Sequence, residues 1–232
     1  MNATWAPRPI PLALSVLVAL FSALVALAVS NGHDAHAHPT TPPEAQHTTA
    51  TITRAELALR RDLRQLWEDH IVWTRLAVIS LTTGTADTEA TVGRLLRNQT
   101  DIGNALKPFY GKAAGNKVTG ELRRHILIAA DVIAAAKAGD RALLADHSAR
   151  WQRNADDIAA LLHSVNPRHF KLAVLKAEMR THLRLTTDEV VARLGGNWAA
   201  DVAAYDRIHR HILHMSDYLA AGVVAQFPRR FR

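Results

Sequence analysis

The sequence predicts an all-α protein, an up-and-down antiparallel helical bundle (four-helix-bundle-like with extra short helices) behind one N-terminal membrane helix. From Thr51 onward, apolar residues recur with a period near 3.6 and no stretch shows strand-like alternation. Short connections separate the periodic segments, which favours antiparallel neighbours. Residues 10–29 carry no charge and are long enough to cross a bilayer as a helix.

The composition excludes several classes of protein. A chain with 48% hydrophobic residues is too apolar to be disordered, while 6% aromatic residues and 11 glycines argue against a sandwich, a barrel or a Gly-rich nucleotide fold. The absence of cysteine excludes disulfides, thiolate metal sites and Fe–S clusters. The sequence also lacks H-E-x-x-H, G-x-S-x-G and Walker-type motifs, so it predicts no nucleotide cofactor and leaves open which residues, if any, are catalytic.

Residues 1–30 are predicted to be a signal anchor or a signal peptide. The uncharged stretch is longer than the apolar part of a cleaved signal, about 7–15 residues, but small residues at 26–28 offer a cleavage pattern. Arg8 precedes the stretch and the next Lys or Arg is Arg54, so the positive-inside rule places the C-terminal body outside the cytoplasm. The predicted location is therefore the cell membrane, with a single pass, or the exterior if the signal is cleaved.

Residues 31–50 are predicted to be a disordered tether rich in His, Pro and Thr. Four histidines lie in it: His33, His36, His38 and His47. Such a tract either binds a divalent cation loosely or is simply a soluble linker, and composition does not separate these alternatives.

Residues 51–228 are predicted to form the helical bundle domain, followed by a basic tail at 229–232. A capping box at Thr53 and Glu56 begins the first helix. Pro108 ends the second helix and Gly139 ends the third, while Asp140, Thr187 and Asn197 are predicted to cap the fourth, the short sixth and the last helix. The predicted helices span approximately 53–82, 87–106, 117–138, 140–165, 170–184, 187–194 and 198–225.

Histidines fall at inward-facing helical positions, where steps of three and four residues place side chains on one face. These are His70, His125, His147, His182 and His209. Imidazoles that converge from different helices are how bundles build metal sites. We therefore expect His70, His125 and His182 to bind a metal ion together with Asp101. The possible supporting residues around them are Asn98, Glu121, Asn154, Glu178, Tyr205 and Asp206.

Nitrogen and oxygen ligands suit Zn, Mn, Fe or Cu(II). A ferritin-type site is disfavoured because the spacing is Glu-x-x-x-His at Glu121/His125 and Glu178/His182, not the Glu-x-x-His of di-iron bundles. The alternative is that the inward polar residues form a hydrogen-bonded core network. The protein would then be a non-enzymatic ligand-binding, sensory or interaction module that acts through a protein partner.

Several segments together are similar to a known family. They are LWEDH at 66–70, WTR at 73–75, LRN at 96–98, DIGN at 101–104, KPFYG at 107–111, NP at 166–167, HLRLT at 182–186 and QFP at 226–228. In these segments the chain resembles a family of small bacterial all-helical proteins of unknown function, some of which carry kinase or glycosyltransferase names. The resemblance covers about residues 60–228. It implies that the body is one unit and supplies no catalytic residues.

The positive charge leaves two alternatives open, an anionic partner and a generic basic surface. The net charge is +7, and basic residues cluster at 54–64 and 229–232. The sequence has no nucleic-acid recognition motif, so nucleic acid is not expected as a partner. If the clusters on a membrane-tethered bundle do bind a partner, they suit anionic lipid or a cell-wall polymer.

Overall fold

The computed structural model describes residues 52–232. The predicted signal segment and tether lie outside the described residues. The described part is all-helical and has no strand, which confirms the predicted all-α class. Its elements are α1 (Arg54–Thr83), α2 (Thr88–Ala138), α3 (Arg141–Val165), α4 (Leu172–Leu194), α5 (Trp198–Gln226) and a 3-10 helix (Pro228–Phe231). Between residues 52 and 232, no helix combines the length and apolar character needed to cross a membrane.

The helix starts follow local capping chemistry. Thr53, Asp140 and Asn197 each accept a hydrogen bond from the backbone N–H three residues later, at 3.2, 3.0 and 3.1 Å. Each side chain thereby satisfies one N–H that has no partner within its helix. The sequence predicted all three positions, because the signal for a cap lies in adjacent residues.

Helix α2 is sharply kinked at one glycine. The predicted helix end before Pro108 is wrong, since the helix continues to Tyr110 and the break falls at Gly111. Gly111 has φ 83° and ψ 164°, a conformation that only glycine adopts readily. The two arms of α2, residues 88–110 and 112–138, therefore fold back on each other. At their contact, a Cβ on Gly115 would lie 2.6 Å from the carbonyl oxygen of Gly103.

Helix α4 is continuous where two helices were predicted. The expected break between 184 and 187 does not occur. Thr186 lies inside the helix, and its hydroxyl donates to the carbonyl of His182 at 2.9 Å. This hydrogen bond satisfies the hydroxyl without interrupting the helix, so the threonines do not act as a cap here.

When the two arms of α2 are counted separately, consecutive helical segments run in opposite directions. Every connection therefore lies at one of two ends of the bundle. We call the end where α1 begins the proximal end. Thr53 donates to the carbonyl of Phe231 at 2.9 Å, and Arg230 donates to the carbonyl of Pro108 at 2.8 Å. Asn166, after α3, donates to a carbonyl of α5 at 2.9 Å. The proximal end therefore also holds the kink of α2, the α3–α4 connection and the 3-10 helix.

The remaining connections form the distal end. They join α1 to α2, α2 to α3, and α4 to α5. Between the two ends, apolar side chains from all five helices form the main core, which includes Trp67 and Trp151. An interior cavity of about 40 Å³ lies within it, and its mainly apolar wall includes His70, His182 and Glu178.

Candidate functional site

Three imidazoles meet in the interior of the bundle. His70 lies on α1, His125 on the second arm of α2, and His182 on α4, with 3%, 3% and 5% of their surfaces exposed. The ring centre of His182 lies 5.9 Å from that of His70 and 6.0 Å from that of His125. Three separate helical segments thus bring these nitrogen donors close together. We call the three residues the imidazole cluster.

Asn154 and Glu121 hold the ring of His125 in one orientation. The Nδ1–H of His125 donates to Asn154 Oδ1 at 2.8 Å, and the amide of Asn154 donates to Glu121 Oε2 at 2.9 Å. Because a carboxylate only accepts, this chain sets the direction of the Asn154 amide and the tautomer of His125. The lone pair of His125 lies on Nε2, which is buried and has no hydrogen-bond partner among the described residues.

Gln99 contacts the ring of His70. Gln99 is fully buried, and its Nε2 lies 3.2 Å from His70 Nδ1 and 2.8 Å from the carbonyl of Leu95. In this arrangement the Gln99 amide donates to Nδ1, and the proton of neutral His70 lies on Nε2. The other atom of the carboxamide, Gln99 Oε1, is buried without a partner among residues 52–232.

His182 is the central member of the cluster. Its Nδ1 is buried and has no hydrogen-bond partner within the described part of the chain. A third neighbour, His211 on α5, has its ring centre 6.2 Å away in a stacked orientation. His182 therefore lies between the two other buried imidazoles and a histidine nearer the surface.

Burial keeps the imidazole cluster uncharged at neutral pH. Desolvation lowers the pKa of His70 to about 3, and electrostatic repulsion between protonated His70 and protonated His125 is the second cause. Desolvation also lowers the pKa of His125 to about 4. Desolvation, followed by repulsion from the neighbouring imidazoles, also holds the pKa of His182 well below its usual value. Neutral imidazole is the form that binds metal ions.

A carboxylate and two further histidines connect the cluster to the surface. Glu178 borders the interior cavity, and its carboxylate lies 3.5 Å from His211 Nδ1 and 3.9 Å from His214 Nε2. The side chain of His214 is 71% exposed, whereas that of His211 is 10% exposed. Glu178 therefore lies between solvent and the cavity beside His182.

Several predicted site residues lie elsewhere. Asp101 is exposed, so it is not the inward carboxylate that was expected. The inward side of this arm is formed by Asn98, Gln99 and Ile102, and Asp101 lies about 100° around the helix from Ile102. Asn98 is fully buried and donates to the carbonyl of Leu66 at 2.9 Å, which gives it a role in joining helices.

The first half of the last helix buries a different face from the predicted one, whereas the predicted residues Ile212, Ser216, Leu219 and Val223 in its second half are buried. Asp206 is exposed, and Tyr205 is partly exposed and lies beneath the guanidinium of Arg75 at 5.3 Å. His209 is also not interior, since it bonds to Glu68 at 3.0 Å on the exposed surface. His147 is likewise only partly buried. Helical spacing alone is consistent with inward positions for these residues. The packing of the helices instead buries the residues next to them.

Sequence analysis missed a buried ionic network near the distal end. Arg75 bonds to Glu189 at 2.9 Å and to Asp201 at 2.8 Å, and Arg193 bonds to Asp201 at 2.9 Å. Glu189 and Asp201 are 0% and 1% exposed, and burial raises the pKa of Glu189. The network joins α1, α4 and α5. The only signal in the sequence was that a few charged residues lie at inward-facing positions. The sequence does not show which residues on the neighbouring helices they contact.

The described residues contain no group of three or more His, Asp or Glu side chains already arranged to hold a metal ion. The imidazole cluster is instead a set of close, neutral donors that would need side-chain movement to share one ion. Comparison with protein-family models, curated proteins and solved structures finds no match to this chain. The resemblance to a bacterial helical family stays a prediction, and the site is interpreted from its own geometry.

Proposed function

We propose that this protein is a membrane-tethered, extracytoplasmic helical bundle that binds one metal ion through His70, His125 and His182. The supporting observation is that His125 Nε2 and His182 Nδ1 are buried without a hydrogen-bond partner among residues 52–232. An unpartnered buried polar atom costs about 1–3 kcal/mol. A metal ion would supply the missing partner, and neutral imidazole nitrogen is a preferred ligand.

The spacing of the rings supports a shared ion. Two imidazoles on one tetrahedral zinc, with Zn–N bonds of about 2.1 Å, have ring centres roughly 5 Å apart. The separations from His182 are 5.9 and 6.0 Å. Each separation is thus within about 1 Å of the value for a shared ion, and the rings would also have to rotate so that their unpartnered nitrogens face it.

The residues behind the rings resemble the support that metal-bound histidines have. Such a histidine donates its second ring N–H to a carboxylate or carbonyl, as His125 does to the Asn154–Glu121 pair. For His70, metal binding at Nε2 moves the proton to Nδ1. Turning the Gln99 carboxamide would then let its unpartnered Oε1 accept that proton.

The donor set favours zinc, copper or iron over manganese. Imidazole suits the first three ions, whereas manganese prefers carboxylate and other oxygen ligands. The exposure of Asp101 removes the carboxylate that was expected among the ligands. Three protein ligands would leave room for a further ligand on the ion, and the cavity beside His70 and His182 would supply space for it.

Metal analysis of the purified full chain tests the proposal. The chain carries no affinity tag, and its tether histidines are all replaced by asparagine, so that bound metal is not due to the tether. Metal content is measured by mass spectrometry after separate dialyses against zinc, copper and iron, and the experiment is repeated with His125→Asn and His182→Asn. His209→Asn is the matched control, because His209 lies on the surface.

One equivalent of zinc that is retained in His209→Asn and lost in both cluster variants is the expected result. A stable wild-type bundle that retains neither zinc, copper nor iron would refute the proposal. That result would support the alternative of a structural polar network in a ligand-binding, sensory or interaction module.

A further inference from the structure

The proximal end of the bundle is strongly basic. Its terminal turns comprise residues 52–57, 106–117, 162–173 and 222–232. These turns contain nine lysines and arginines and a single carboxylate, Glu56. We call the nine residues the basic cap: Arg54, Lys107, Lys112, Lys117, Arg168, Lys171, Arg229, Arg230 and Arg232.

The fold assembles this cap from distant parts of the chain. Two clusters near the ends of the sequence meet because the 3-10 helix packs beside the start of α1, where Thr53 bonds to Phe231. The kink of α2 adds three lysines, and the α3–α4 connection adds Arg168 and Lys171. Every member except Lys107 is classed as exposed.

The distal end has the opposite character. Its terminal turns, residues 80–91, 134–145 and 190–201, contain three basic and four acidic residues. Two of these charges, Arg193 and Asp201, are bonded to each other in the buried network. The net positive charge of the described bundle is thus concentrated at the proximal end. Residue 52 joins the preceding sequence at the same end.

We propose that the basic cap docks directly on the anionic phospholipid surface of the membrane. Lysine and arginine near a membrane surface are attracted by anionic headgroups, and this attraction decays within one Debye length. Docking would orient the bundle with its long axis along the membrane normal and its distal end outward. This orientation does not depend on metal binding.

The length of the chain before α1 supports the membrane as the partner of the basic cap. Twenty residues separate the uncharged stretch that ends at residue 29 from residue 50. A linker of this length spans up to about 60 Å when extended. Anchoring alone would therefore leave the bundle free to stand away from the membrane, whereas the cap would hold it at the surface.

A fluorescence experiment on the full chain tests the docking. Since the sequence has no cysteine, one label is introduced through Asn116→Cys at the proximal end or Ala86→Cys at the distal end. Each labelled chain is reconstituted in phosphatidylcholine vesicles, with or without phosphatidylglycerol. Energy transfer to a headgroup-linked acceptor is then measured at about 0.15 M and about 1 M salt, where the Debye length falls from about 8 to 3 Å.

We expect strong transfer from the proximal label only in vesicles that contain phosphatidylglycerol, and loss of that transfer at high salt. The variant Lys112→Glu/Arg168→Glu/Arg229→Glu should abolish it. The matched control Arg97→Glu/Arg153→Glu/Arg210→Glu makes the same charge change on exposed residues outside the cap and should retain it. Equal transfer in neutral and anionic vesicles, or equal loss in both variants, would overturn the proposal. Equal transfer in neutral and anionic vesicles is also the result expected of a cap that binds a cell-wall polymer and not phospholipid.

Discussion

Acidification of the metal-free protein is expected to destabilise the bundle through its buried imidazoles. The pKa values of His70, His125 and His182 lie far below their ordinary value of 6.5 because burial disfavours the charged ring. Below pH 6.5 the unfolded chain therefore binds protons at these positions that the folded chain does not bind. The stability contributed by these residues is present above pH 6.5 and is lost as the pH falls toward the folded-state values.

The size of the effect follows from the linkage relation. Each residue contributes a slope approaching 1.4 kcal/mol per pH unit once its unfolded form is protonated. Between pH 7.5 and pH 5, a histidine with a folded-state pKa of about 4 and an unfolded value of 6.5 loses about 2 kcal/mol. His70 and His125 together lose about 4 kcal/mol, and His182 adds to the loss in the same direction, so the effect is a large part of the stability of an ordinary domain.

Urea unfolding followed by tryptophan fluorescence measures this loss between pH 7.5 and pH 5, in the presence of a chelator. Comparison with His125→Asn isolates one residue, because all other titrating groups are common to both chains. Asparagine keeps an N–H donor near the position of His125 Nδ1, which can still reach Asn154. The variant should lose about 2 kcal/mol less than the wild type across the same range.

The reasoning is refuted if both chains show the same dependence on pH. Equal dependence would mean that His125 binds protons equally in the folded and unfolded states, so that it is not held neutral by burial. A lower absolute stability of the variant would not affect this test, since only the change with pH is compared.

Three further substitutions test other parts of the structure. Asn154→Ala removes the acceptor of His125 and should weaken zinc affinity by about 10- to 100-fold in a chelator competition, whereas the surface variant His209→Asn should leave the affinity unchanged. Asp201→Asn breaks the buried ionic network and should lower the free energy of unfolding by about 3 kcal/mol. The exposed Asp206→Asn on the same helix should change it by less than about 0.5 kcal/mol, and equal effects of the two would contradict the assigned burial. Gly222→Ala places a methyl group against the buried ring of Phe170 and should destabilise the protein by about 1–3 kcal/mol, measured by urea unfolding. Gly120→Ala, where the added carbon meets open space, should instead stabilise by about 0.5–1 kcal/mol.

Much of the fold could be predicted because its signals are local. The periodicity of apolar residues identified a helical protein, and the caps at Thr53, Asp140 and Asn197 were recognisable from adjacent residues. The prediction failed where a local signal competes with packing. Pro108 did not end its helix, since the break occurs at Gly111, whose conformation suits glycine alone.

The candidate site was predicted only in part. Helical spacing identified His70, His125 and His182 as inward-facing, and all three are buried. The same spacing wrongly placed Asp101 and His209 inside, because positions at the edge of a stripe are turned inward or outward by the neighbouring helix. Gln99 and the Arg75 network were missed because the residues that they contact lie on other helices.

By itself, the sequence determined the helical class, the capped starts of α1, α3 and α5, and the interior face that carries the three histidines. These properties depend on interactions within a turn or two of one helix. Only the tertiary structure decided that the three rings lie at one level, and that basic residues from four segments share one end. The angle of a side chain around a helix follows from its position in the sequence, whereas its level along the bundle depends on how the helices pack.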